Sequence, residues 1–285
     1  ALRLLEFIRI PGQVIPIHEL CPQLVKKGTR FLLGIKREGR IENLHHFLEH
    51  VLLTFFGRGP VDLVKRGVQL REWAVVGTLN NALVDRPPQL DRVRLDTVID
   101  PDEVAETTVE PAIVDGWKRE IPDETARRVG AEADVAVRFA FGFLVGPALS
   151  SFEHGVLSFH HGDLREYRGQ PMALWEFVNG EDAVGITVQQ ITEQLDGGAI
   201  AALKRVDVTD QRTWEAIKAR LFAESEDMLT SAIRNIESGE VREPDTLGTL
   251  KSHPTGRPVA TFTVKNLAGH VRDLLATGRT GAARG

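Results

Sequence analysis

The sequence predicts an α/β fold, and three observations point to it. Amphipathic segments at helical spacing alternate with short apolar or β-branched runs. Several of those runs end directly in glycine or ionisable residues, as strands do at the functional edge of an α/β sheet. A chain of 285 residues is also long enough to bury a sizeable core between sheet and helices.

Taken in order, Glu42 to Phe56 reads as a helix, because Leu44, Phe47, Leu48, Val51, Leu52 and Phe55 recur at helical spacing before Gly57 and Gly59 stop it. Trp73 to Val76 reads as a strand before a turn at Asn80-Asn81, Arg86-Pro87-Pro88 as a loop, and Arg94 to Ile99 as a further strand. Pro101 to Thr107 and Asp123 to Gly130 each place an acidic residue beside a proline, the pattern of a helix start. Asp134 to Phe139 is β-capable, Val156 to Phe159 follows as a second short strand, and Gly185 to Gln190 alternates like a third. Thr213 to Ile236 has the length and spacing of one long amphipathic helix, ended by Ser238-Gly239.

Composition narrows the class of function. Thirty-five Lys and Arg against 40 Asp and Glu give a net charge of −5, which removes any global pull toward nucleic acid. The one cysteine, Cys21, has no partner for an internal disulfide and suits a reducing cytosol, so a cytoplasmic location is expected. Beside Leu20 and Pro22 it reads as a small buried hydrophobe. No window approaches the roughly 18 apolar residues that span a bilayer, and no secretory signal or internal repeat is visible. The chain opens Ala-Leu-Arg without Met, so a trimmed start and a missing first strand are kept in view.

Ionisable residues concentrate in Gly155-Val156-Leu157-Ser158-Phe159-His160-His161-Gly162-Asp163, followed by Tyr167-Arg168-Gly169. A strand that ends in such residues and then a glycine presents them at the carboxyl edge of a sheet, where open α/β folds bind ligands. Solvent-facing loop histidines are the plain alternative. Two metal readings compete with this block. His46-Phe47-Leu48-Glu49-His50 fits the His-x-x-Glu-His zinc pattern, but no third ligand announces itself and the charged face of an amphipathic helix explains the spacing more simply. A cluster of His154, His160, His161 and Asp163 is awkward because adjacent histidines on a strand point to opposite faces. No metal is expected.

The segment also resembles the folate-dependent formyltransferases. That family carries Asn-x-His at a strand end, then Tyr-Arg-Gly, Asn-Gly-Glu/Asp, Gly-x-Thr and Leu-Asp-x-Gly. Here the same order reads Ser158-Phe159-His160, Tyr167-Arg168-Gly169, Trp175, Asn179-Gly180-Glu181, Gly185-Ile186-Thr187 and Leu195-Asp196-Gly197-Gly198. Upstream, Ala133-Asp134-Val135 and Phe139-Ala140-Phe141-Gly142-Phe143-Leu144 resemble the strand and turn that line the pteridine pocket. The likeness fades before about Asp100 and after about Val208.

The resemblance implies a formyltransferase-like, Rossmann-type sheet flanked by helices, with 10-formyltetrahydrofolate as cosubstrate. An amine attacks the formyl carbon, and a tetrahedral oxyanion must be stabilised while protons move. By position His160 is the acid/base and electrostatic group and Asp196 its carboxylate partner; an imidazole suits both tasks because its unperturbed pKa is roughly 6.5. Phe141, Gly142, Leu144, Gln194 and Leu195 are implied on the folate side, and His161, Tyr167 and Arg168 on the substrate side.

Ser158 departs from the family asparagine. A hydroxyl still donates one hydrogen bond, from a shorter side chain, and losing a well-placed oxyanion donor costs roughly 2.7 to 4 kcal/mol of barrier. Three explanations compete: Ser158 acts with a water, His161 or another nearby group supplies the donor, or formyl transfer has lapsed. His161-Gly162-Asp163 also stands where relatives commonly have Pro-Ser-Leu, so His161 is read either as a substrate contact or as a solvent-facing neighbour.

An α/β domain is expected over residues 1–239, with 1–100 divergent or trimmed, and a C-terminal extension over 240–285. That extension is short for the β-barrel of transferases that act on initiator methionyl-tRNA. Its Lys251, Arg257, Lys265, Arg272, Arg279 and Arg284 are spaced among Gly, Pro and Thr, and Phe262, Val264 and Leu267 are expected to pack back onto the domain. A small-molecule amine, such as an amino sugar, a nucleotide-linked amine or an amino-acid derivative, is therefore the expected acceptor rather than tRNA. Hydrolysis of the formyl donor, and a folate-binding or scaffold protein without catalysis, are the alternatives.

Overall fold

The computed structural model describes residues 2–5, 32–33, 71–84, 106–139 and 141–282. The expected Glu42 to Phe56 helix, the Arg86-Pro87-Pro88 loop, the Arg94 to Ile99 strand, Cys21 and the His46 to His50 pattern lie outside these residues.

A mixed five-stranded sheet organises the fold. Its strands are β2 (Leu32–Leu33), β6 (Ala136–Phe139), β8 (Val156–His160), β10 (Ala183–Gln190) and β11 (Ala199–Asp207). The spatial order is β11-β10-β8-β6-β2, in which β2, β6 and β8 are mutually parallel and β10 and β11 run antiparallel. Three small sheets surround it. β1 (Leu2–Leu5) pairs with β3 (Glu106–Val109), β4 (Ala112–Val114) and β5 (Lys118–Glu120) join β7 (Leu144–Val145), and β9 (Tyr167–Gly169) pairs with β12 (Thr249–Lys251).

Alternation along β6 and β8 sends Ala136 and Val156 to one face and Val137 and Leu157 to the other, and each face buries its own core. The first holds Ile121, Phe141, Leu144, Ala148 and Phe152 with Ala126 and Val129 of α2 (Asp123–Gly130). The second is larger and takes Leu174 and Phe177 of α3 (Leu174–Asn179), Ile217 and Leu221 of α4 (Trp214–Ala223), Leu229 and Ala232 of α5 (Met228–Glu237), and Phe262 of α6 (Arg257–Ala282). Among the described residues no helix is long and apolar enough to cross a membrane.

The strands expected from Asp134, Val156 and Gly185 and the helix expected from Asp123 are all present. Four other expectations are corrected. Trp73 to Val76 is part of helix α1 (Glu72–Leu83), and Asn80-Asn81 lies inside that helix and not in a turn. Trp73, Gly77 and Asn80 fall on one helical face, where Trp73 and Gly77 are buried and Asn80 donates to Glu215, so tertiary contacts outweigh the β-branched Val75-Val76 pair. Glu106 and Thr107 begin strand β3, in keeping with the β propensity of Thr107-Thr108-Val109.

Thr213 to Ile236 is two helices broken at Glu224 to Asp227. Carboxylates at a helix C-terminus oppose its dipole, and Lys204 of β11 draws Glu224 (2.8 Å) and Asp227 (3.3 Å) onto the sheet. The tail, finally, is the helix α6. Phe262 is 1% exposed, whereas Val264 and Leu267 are 68% and 63% exposed, so the buried face runs through Val259, Phe262 and Asn266 instead.

Phe262 meets Trp73, Trp214 and Phe177 edge-on, with ring centroids 5.0, 5.4 and 6.0 Å away. One helical turn on, Asn266 accepts from the Trp214 backbone N–H and donates to both Asn80 and Glu215. Replacing Phe262 by Ala is expected to destabilise the protein by about 3–5 kcal/mol through the cavity left among these rings. Guanidinium unfolding followed by tryptophan fluorescence checks this, and a shift below about 1 kcal/mol would show that α6 is not integral to the core.

Candidate functional site

Strand register builds the site. Arg138 of β6, Ser158 of β8 and Gln189 of β10 are direct neighbours across three strands, and His160 pairs with Thr187 two residues further along the same face. Because β6 and β8 are parallel, Arg138, Ser158 and His160 all stand at the carboxyl edge of the sheet. The turn after His160 is held against β10 by Thr187 Oγ1, which donates to the Gly162 carbonyl at 2.8 Å. Gly185 makes that approach feasible, since a Cβ there would lie 2.5 Å from the Asp163 nitrogen.

His160 Nε2 lies 3.0 Å from the Tyr167 carbonyl oxygen. A carbonyl only accepts, so Nε2 carries the proton and Nδ1 is the basic nitrogen of the neutral ring. Nδ1 faces Asp196 Oδ1 at 3.6 Å, with both side chains mostly buried. A proton taken up at Nδ1 would therefore rest beside a carboxylate.

Asp196 is itself tightly held. It adopts φ 45°, a left-handed conformation that an L-residue occupies only when its surroundings dictate it. Gly169 N–H donates to Oδ2 at 2.9 Å and Gln189 Nε2 to Oδ1 at 3.3 Å. Arg168 fixes the backbone around it, donating to the carbonyls of Asp196 (2.7 Å), Leu195 (2.6 Å) and Gly248 (3.4 Å). The Arg168 guanidinium, expected on the substrate side, is thus committed to clamping the Leu195-Asp196 loop. Tyr167 is committed too: it donates to Glu181 at 2.5 Å and accepts from Asn179 at 2.9 Å, and burial together with the Glu181 bond pushes its hydroxyl up to about 12.

Ser158 is 2% exposed, and its Oγ accepts from Arg138 Nε (3.2 Å) and Nη2 (2.8 Å), while Arg138 Nη1 donates to the Gly142 carbonyl. Sequence reasoning missed Arg138, although a lone arginine in the apolar run Ala136-Val137-Arg138-Phe139 was the available signal. Phe141 and Leu144 are buried in the first core, so these two residues can meet a ligand only through their backbone. Glu193, beside Gln194 and Leu195, accepts from Gly146 N–H at 3.4 Å and ties their loop to the same segment.

His161 lies apart from His160. Its ring stacks on Phe159 and meets Phe222 edge-on at 5.0 Å, and its Nε2 lies 3.1 Å from Ser225 Oγ. Because Ser225 Oγ donates to the Leu221 carbonyl, the histidine is the donor in that pair. Burial, with a smaller contribution from His160, lowers its pKa to about 4. It is a half-buried neutral ring packed between Phe159 and Phe222 that also lines the cleft beside His160. Asp163 is gripped by Arg165 Nε (2.9 Å) and Nη2 (2.7 Å), which outweighs burial and holds its carboxyl below the ordinary range. Among the described residues no group of three or more His, Cys, Asp or Glu side chains could hold a metal ion.

An open cleft adjoins His160, lined by His161, Tyr167, Arg168, Trp175, Glu176 and Lys251 among others. Glu176 was not foreseen. It is buried, its Oε1 makes no hydrogen bond, and burial first, then the nearby Glu181 and Glu166, push its carboxyl up to about 7.

Acid stability follows from His161. As pH falls from 6.5 toward 4 the unfolded chain takes up a proton that the folded ring resists, so stability present above pH 6.5 is lost, by up to about 3 kcal/mol. Glu176 titrates with the opposite sign, its cost being relieved as pH falls from 7. Replacing His161 by Phe removes only the first effect and leaves the Glu176 gain uncompensated, so on going from pH 7.5 to pH 5 the urea midpoint of the variant is expected to rise relative to that of the wild type; an unchanged difference would contradict the assignment.

Several known proteins are similar to part of this chain. Residues 94–233, just under half of the chain, match the Formyl transferase family model. Methionyl-tRNA formyltransferase of Thermotoga neapolitana is 30% identical over 115 residues, covering 39% of this chain and 37% of that protein. The Sorangium cellulosum enzyme of the same name is 30% identical over 121 residues, covering 42% and 39%. The chain thus spans about two fifths of the length of these relatives. Glycinamide ribonucleotide transformylase 1 from Symbiobacterium toebii, a solved structure, is 26% identical with a TM-score of 0.38, covering 43% of this chain and 62% of that one. Residues 94–233, which carry His160, Asp196 and the strands that place them, are thus similar to the formyl transferase family.

Proposed function

We propose that the chain transfers a formyl group from 10-formyltetrahydrofolate to the amine of a small molecule such as an amino sugar, a nucleotide-linked amine or an amino-acid derivative. The observation that carries this reading is the His160 ring, anchored by Nε2 on the Tyr167 carbonyl with its basic Nδ1 beside Asp196.

In this reading the amine lone pair forms a bond to the formyl carbon and the carbonyl π pair moves onto oxygen. His160 accepts the proton that the amine sheds, and Asp196 stabilises the imidazolium. The oxygen pair then re-forms the carbonyl as the bond to the folate nitrogen breaks, and the pair released on that nitrogen takes up a proton. Products are a formamide and tetrahydrofolate. The formyl donor supplies an activated one-carbon group. The residues that would hold it are Gln194, Leu195 and the backbone of Phe141, Gly142 and Leu144, which fits side chains already committed to the core. The amine would approach through the cleft lined by Trp175, Glu176 and Lys251. A net charge of −5 favours a small acceptor over a nucleic acid.

Tetrahydrofolate release from 10-formyltetrahydrofolate tests the reading. Release that depends on an amino sugar nucleotide or amino-acid amine supports it. Release without any amine indicates a hydrolase, release only with methionyl-tRNA moves the acceptor to tRNA, and folate binding without turnover indicates a binding protein. Replacing His160 by Ala is expected to lower turnover about 10²–10⁴-fold, and wild-type turnover in that variant would falsify the assigned role. Asp196→Asn, which removes the charge while keeping the shape, is expected to reduce kcat with little change in folate affinity, checked by steady-state kinetics beside a binding titration.

A further inference from the structure

We propose that Arg138 is a catalytic residue of this site: its guanidinium holds the formyl oxygen and receives the negative charge that develops there, and Ser158 positions it. The inference rests on the formyl-transfer reading above and answers the question that Ser158 raised.

The observations are those of the strand row. Arg138 and Ser158 are directly paired on parallel strands at the sheet's carboxyl edge, on the face that also carries His160. A serine carries a hydroxyl where an asparagine carries the larger carboxamide, and here the guanidinium packs beside it, with Nε and Nη2 converging on Oγ at 3.2 and 2.8 Å. Ser158 is therefore an acceptor here, with its oxygen occupied by Arg138. Nη1 donates to the Gly142 carbonyl, which pins the far end of the fork. Three of the five N–H groups of the guanidinium are used in this way, leaving one on Nη1 and one on Nη2 for a ligand. Burial disfavours the cation and the charge of Asp196 supports it, which places Arg138 in the same electrostatic site as the His160 partner.

A cationic N–H held in place before the reaction is a stronger donor to an oxyanion than a neutral amide. As the amine lone pair forms the new C–N bond, the carbonyl π pair collects on the oxygen that Arg138 holds. When that pair re-forms the carbonyl, the bond to the folate nitrogen breaks, that nitrogen gains a proton, and His160 carries the proton lost by the amine. An arginine on β6 and a serine on β8 are in this view one exchange, in which the donor moved to the neighbouring strand.

The test uses the full chain and the variants Arg138→Val, Arg138→Lys and the double variant Arg138→Val with Ser158→Asn. Two quantities are read: amine-dependent tetrahydrofolate release, and the dissociation constants of the stable analogues 10-formyl-5,8-dideazafolate and 5,8-dideazafolate, which differ only in the formyl group. Arg138→Val is expected to lose about 10²–10³-fold in kcat and to lose the preference for the formylated analogue while binding the other within about twofold. The double variant is expected to regain at least about tenfold of that loss. Arg138→Lys keeps the charge without the fork and is expected to be intermediate, so the inference stays testable if the valine variant misfolds. Wild-type turnover in either single variant, equal loss of affinity for both analogues, or a double variant no better than Arg138→Val overturns the proposal. A wild-type protein that binds neither analogue and releases no tetrahydrofolate overturns the formyl-transfer reading itself, and this inference with it.

Discussion

The carboxylate of Asp196 is the constraint on which the rest of the site depends. It sits in a loop with a left-handed backbone, an arrangement that costs on the order of 1–3 kcal/mol and persists only where neighbours over-determine it. Those neighbours come from distant parts of the chain: Gly169 N–H and Arg168 from β9, Gln189 from β10, and Gly248 just before β12. The same β9 supplies the Tyr167 carbonyl that fixes the tautomer of His160. One short strand thus orients both Asp196 and His160, so displacing it would disturb the carboxylate and the imidazole together.

This arrangement gives the short motifs their physical sense. Tyr-Arg-Gly is a clamp, in which the tyrosine closes onto Asn179 and Glu181, the arginine grips the Leu195-Asp196 loop, and the glycine nitrogen binds the Asp196 carboxylate. Gly-x-Thr is a seat for the turn after His160, with Gly185 leaving room for the Asp163 backbone and Thr187 bonding to Gly162. Most of these residues never need to touch a substrate. They hold His160 and Asp196 in place, and buried hydrogen bonds to charged groups, worth roughly 1.5–3 kcal/mol each, suit that purpose.

Two cores on opposite faces of the sheet give this edge a rigid base. The smaller lies under the segment from Phe141 to Leu144, and the larger joins α3, α4, α5 and α6. His161 packs its ring against Phe159 and Phe222 beside the second core. Adjacent residues on a strand face opposite ways, so neighbouring histidines came to have opposite characters, one held in a polar clamp and one packed neutral among rings.

Local signals in the sequence determined what can be read within a few residues. The β-branched runs at β6, β8 and β10, the proline-led start of α2, and the ordered motifs from Ser158 to Gly198 were legible because strand alternation, helix starts and tight glycine turns are properties of neighbouring residues. Tertiary structure decided whatever depends on partners far along the chain. Trp73 to Val76 is helical because Asn80 finds Glu215 135 residues away, the Thr213 to Ile236 segment breaks where Lys204 reaches across from β11, and Arg168 is a clamp because Leu195, Asp196 and Gly248 surround it. The partner of Ser158 was likewise hidden, since parallel strands set Arg138 beside it across a crossover connection and no spacing rule joins positions 20 apart.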